Sequence, residues 1–185
     1  MILKTPMCKF CIENKTDQEK KREKEVAALF TASYISSLAS DIYTHVVTIY
    51  ALPLSLYTRT AKLYQKAIQQ ATAGSTIPNI GDLEKVLTEN VYRFSAAKTY
   101  QQIKIANSLL IDNTGKLKSL EAFKSDFATL FSEFNENYLF SEYNTAVYSA
   151  NQAVLWEGYE ATKSEYPLLK YVTAGDERVR EAHKI

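Results

Sequence analysis

Chain breakers are scarce in this sequence: five Gly and four Pro serve 185 residues. A β-sandwich or barrel needs a turn signal about every 8–12 residues, so so few breakers predict long helices and argue against an all-β fold. The length is ample for a core of its own. A hydrophobic fraction of 46%, with 13 Tyr and 8 Phe, supplies that core mainly with aromatic area. Twenty-two Lys and Arg stand against 21 Asp and Glu, a net charge of +1. Near-neutrality leaves the molecule as a whole without a field that would gather nucleic acid or anionic lipid. The longest nearly apolar run, Val46 to Tyr57, is broken by Pro53 and falls well short of the roughly 20 residues that a membrane span requires. No membrane span is expected. The N-terminus shows no signal-peptide pattern and two cysteines make no disulfide framework, so synthesis in a reducing cytoplasm is expected.

The chain reads as three parts. Residues 1–15 form a flexible arm with Pro6, Cys8 and Cys11, and residues 16–165 a helical domain. The helical domain starts near Thr16 with the charged run Asp17 to Glu25, whose signs alternate at helical spacing. From Val26 to about Tyr50 the positions Leu29, Phe30, Ile35, Leu38, Ile42, Val46 and Ile49 recur at three and four residues, one buried helical face. Pro53 kinks or restarts that helix. A further helix runs from about Leu54 to Ala73 and stops at Gly74, with a loop over 75–81. Asp82 is the expected N-cap of the next helix, which meets no breaker before Ile111 and would be roughly 45 Å long. Asn113, Thr114 and Gly115 mark a tight turn. Leu117, Leu120, Phe123, Phe127, Leu130, Phe131, Phe134 and Tyr138 then form an aromatic stripe, and helix is expected to continue through Trp156 to about Lys163. The fold class is therefore mainly α, an elongated bundle of long antiparallel helices. After Tyr166 and Pro167 the run Leu168 to Thr173 is β-prone and Ala174 to His183 is compact and polar. Residues 166–185 thus read as the first strand and short helix of a small α+β unit, cut off before it can form a core, as in a piece of a longer polypeptide.

Motifs for chemistry are few. Cys8-x-x-Cys11 has the spacing of two zinc ligands, but a closed site needs two more and none is near, so incidental thiols are the simpler reading. His45 falls in a predicted amphipathic helix and His183 near the end, and only a meeting of Cys8, Cys11, His45 and His183 in space would support a metal enzyme. There is no G-x-S-x-G elbow, no G-x-G-x-x-G and no P-loop, so neither nucleophilic catalysis nor a phosphate cradle is expected, and no cofactor is implied. Tyr43, Tyr50, Tyr57 and Tyr64 recur every seven residues and would share one slowly drifting face if the helix ran through Pro53, either as a core seam or as an interface. Lys62, Lys66, Arg93, Lys98 and Lys104, interleaved with tyrosines, form at most a weak phosphate-contacting face; their neighbours favour a solvated surface.

The most specific text is Tyr171 to His183, Y-V-T-A-G-D-E-R-V-R-E-A-H. It resembles the opening motif of the phage Mu F-like, or SPP1 gp7-like, minor head proteins, in which a strand ending in T-x-x-D-x-R-V-R-x-x-H follows a long helical region. Glu142 to Ala146 with Ala150, Ala153 and Trp156 is similar to the family's preceding helix. The recognisable likeness covers about residues 135–185; residues 16–134 share only helical character. The family's later acidic and aromatic segment and its Cys-Arg-Cys ending are absent from this sequence. On physical grounds Asp176 can cap a short helix, while Arg178, Arg180 and His183 present donors suited to carboxylates or phosphates, or simply hold the small unit together.

The resemblance implies a structural minor head protein of a tailed bacteriophage or prophage, not an enzyme, located in the virion at the portal vertex or capsid interior and in host cytoplasm during assembly. It would assist head morphogenesis and the handling of packaged DNA. The implied partners are the portal protein first, then capsid or scaffold proteins, with weak DNA contact. The alternative is a helical trafficking or adaptor module of a phage-derived polymorphic toxin.

Overall fold

In a computed structural model, which describes residues 20, 24, 28–132 and 138–168, the apolar periodicity resolves into five helices: α1 (Ala32–Tyr43), α2 (Leu54–Thr72), α3 (Ile80–Ser108), α4 (Leu120–Ser132) and α5 (Leu139–Ala161). The described part is mainly helical and contains no strand, only the isolated pairs Thr48–Ala51 and Ile111–Leu117 inside turns. The expected arm (1–15), the strand and short helix after Leu168, and the expected continuity through 133–137 lie outside the described residues.

Helix α1 ends earlier than its periodicity predicts, at Tyr43 instead of about Tyr50. The cause is a Schellman termination. His45 takes the left-handed position (φ 60°), its N–H donates to the Ile42 carbonyl (3.1 Å) and the Val46 N–H to that of Asp41 (2.9 Å). His45 is therefore an exposed turn residue and not part of a helical face. Thr48 Oγ1 then accepts the amides of Tyr50 and Ala51, and Pro53 restarts helix at α2, its carbonyl accepting from Leu56 and Tyr57. At the other end of α2 the stop is as expected, with Ala73 as cap and Gly74 at φ 74°. Helix α3 starts two residues before Asp82: Asn79, at φ 61°, is the N-cap, and Asp82 sits in the first turn, where its charge faces the positive end of the helix dipole. Its 29 residues make it about 44 Å long.

The turn at 113–115 forms as expected, with Gly115 at φ 82°. Asp112 organises it by accepting at Oδ1 from the Thr114 hydroxyl (2.7 Å) and the amides of Thr114 (2.8 Å) and Lys116 (3.0 Å), and these bonds hold its carboxyl below the usual range. The turn extends the loop further than the aromatic pattern suggests. Leu117 pairs opposite Ile111 and is exposed, and α4 begins only at Leu120, with Ser119 Oγ accepting the Ala122 amide.

Two packing layers result. Helix α4 lies antiparallel on α1 through an aromatic ladder: Phe30 against Phe131 (5.6 Å), Phe131 against Phe127 (5.2 Å), Phe127 against Phe123 (5.9 Å) and Phe123 against Tyr43 (5.9 Å). Helix α2 is the centre of the second layer. Thr72 meets Glu84 and Gln65 meets Tyr92, so α2 and α3 are antiparallel. Tyr64 meets Glu142 and Ile77 lies against Gly158, so α5 runs parallel to α2, which departs from the expected all-antiparallel arrangement. Helix α4, which lies between α3 and α5 in the chain, packs mainly on α1, while α5 packs on α2.

Candidate functional site

Helices α3 and α5 both pack on α2 but diverge from one another, leaving an open groove of about 580 Å³ between them. Tyr64 and Ile68 of α2 form its floor, Leu87, Val91 and Phe94 of α3 one wall, and Ala146 and Ala150 of α5 the other. Helical spacing explains the walls: Leu87, Val91 and Phe94 stand four and three residues apart, as do Glu142, Ala146 and Ala150 at four.

One end of the groove is fixed by a polar clamp that joins all three helices. Glu142 Oε2 accepts from the Lys98 ammonium and from the Tyr64 hydroxyl (2.7 Å), while Phe94 meets the Tyr64 ring edge to face (5.4 Å, 80°). The Lys98 side chain is only 8% exposed, so its charge is spent inside the protein. Tyr64 is buried, and burial, followed by its bond to Glu142 and that group's negative charge, pushes its phenol far above the usual range. It stays a neutral donor. A second bond, Tyr143 Oη to Gln70 Oε1 (3.1 Å), ties α5 to α2 further along. On the buried face of α3, Ser95 Oγ, Thr99 Oγ1 and both amide atoms of Gln102 find no hydrogen-bond partner among the described residues. The arrangement pairs a neutralised carboxylate with apolar walls; it holds helices and presents a surface.

The four heptad tyrosines do not share a face. Tyr43 closes α1 and donates to the Lys118 carbonyl (2.8 Å), and Tyr50 stands exposed in the turn before α2. Tyr57 is half-buried beside Tyr92 (6.5 Å), and Tyr64 belongs to the clamp. The Schellman turn and Pro53 break the period between the first two and the last two. Among the cations weighed for phosphate contact, Lys62, Lys66, Arg93 and Lys104 are exposed, but Lys98 is not available. Asp176, Arg178, Arg180, His183, Cys8 and Cys11 lie outside the described residues, and among the described residues no three His, Cys, Asp or Glu gather as metal ligands. No described helix is long and apolar enough to cross a membrane. Sequence reasoning missed the clamp because Tyr64, Lys98 and Glu142 are separated by 34 and 44 residues and leave no spacing signal.

The clamp makes stability fall at alkaline pH. The folded state holds the Tyr64 proton more firmly than the unfolded chain, which releases it near pH 10, so this stabilisation is complete below about pH 10 and is lost as pH rises past it. Tyr64→Phe is expected to cost about 1 kcal/mol at neutral pH by removing the bond to Glu142. Its unfolding free energy should then approach that of the parent protein between about pH 9 and pH 11. Urea melts across that range measure the convergence; parallel curves would show that Tyr64 titrates normally.

Compared with known protein families, curated proteins and solved structures, the chain matches none.

Proposed function

We propose that this chain is a structural component of a tailed-phage head, the helical region of a minor head protein with the opening of its small α+β C-terminal domain at 166–185. The observation that carries this reading is the stretch Tyr171 to His183 following a long helical region, the order found in the Mu F-like family that it resembles. The mainly helical architecture of the described residues supports it, as does a clamp that locks three helices together. Its work is to bridge: an elongated, rigid helical bundle spans from the portal ring toward the capsid interior, and Arg178, Arg180 and His183 meet carboxylates or phosphates there. Portal protein is the principal partner, with capsid or scaffold protein next. DNA is a minor one, because the net charge is +1 and Lys98 is consumed internally. The protein acts in the virion, at the portal vertex or capsid interior, after assembly in host cytoplasm, and it is not an enzyme.

Co-expression with a tailed-phage portal protein from the same genome tests this. The expected result is a co-purifying complex of defined stoichiometry that survives a shift from low to high salt, as a packed protein interface does and a phosphate contact does not. Absence of a complex at either salt would remove the portal assignment and favour the adaptor alternative.

A further inference from the structure

We draw no further inference here: the strongest candidate, the cavity of about 340 Å³ between α3 and the start of α5 that Gln102 lines together with Lys98 and Glu142, shares those last two residues with the clamp already described and adjoins residues 133–137 outside the described set, so nothing in the structure shows what covers it or what the Gln102 amide meets there.

Discussion

Phe127→Ala is expected to lower the unfolding free energy by about 3–5 kcal/mol. Phe127 is 1% exposed and lies between Phe123 and Phe131 on α4, with ring centroids at 5.9 and 5.2 Å. Truncation removes the whole ring and leaves a cavity that its neighbours cannot fill, because Phe123 is held by Tyr43 and Phe131 by Phe30. The ladder is the principal connection between α4 and α1, so the loss weakens the seat of a helix as well as emptying a site. In urea melts the midpoint should fall with the slope unchanged, and the melting temperature should drop by roughly 10 °C. A loss under about 1 kcal/mol would mean that the ladder is not packed as described.

Lys98→Met should cost about 3 kcal/mol, the low end for breaking a buried ion pair, because Glu142 keeps 31% of its side-chain surface in contact with solvent. The methionine fills the space of the lysine stem but leaves the Glu142 carboxylate with only the Tyr64 hydroxyl as a partner. The penalty is that of an uncompensated charge. The double variant Lys98→Met/Glu142→Leu should therefore recover part of the loss, since two apolar side chains replace a pair whose attraction is offset by desolvation. Chemical denaturation of both single variants and the double variant gives the coupling energy directly. Strict additivity would show that Lys98 and Glu142 do not interact.

Where a signal was local, the sequence was legible. The stop of α2 at Gly74 is a left-handed cap, the turn at Gly115 needs positive φ, and Phe123, Phe127 and Phe131 at four-residue steps can only be a helical stripe. Where two local signals competed, the pattern misled. Val46 and Ile49 continue the apolar period of α1, yet the chain turns at His45, which takes the left-handed position that histidine tolerates better than most residues, and the Val46 amide returns to Asp41. Leu117 fits the aromatic stripe but is retained by the loop that Asp112 organises.

The candidate site was less legible than the fold, since its residues come from three helices. Lys98 and its exposed companions Arg93 and Lys104 look alike in sequence, all being cations on one long helix. Only the approach of Glu142 from α5 makes Lys98 an internal group and the others solvated ones. The same is true of the tyrosines: an identical seven-residue repeat ends in a turn for Tyr50 and in the clamp for Tyr64.

The sequence by itself determined that the described part is mainly helical, that α2 stops at Gly74, and that the helix beyond Gly115 buries an aromatic face, because chain breakers and apolar period act through the backbone within a few residues. It also carries, in Tyr171 to His183, the text on which the functional reading rests. The tertiary structure alone decided that α5 runs parallel to α2, that α3 and α5 part to leave a groove, and that Tyr64, Lys98 and Glu142 meet at its end. Those outcomes depend on which faces find one another across long stretches of chain, and burial and charge pairing are settled only when they do.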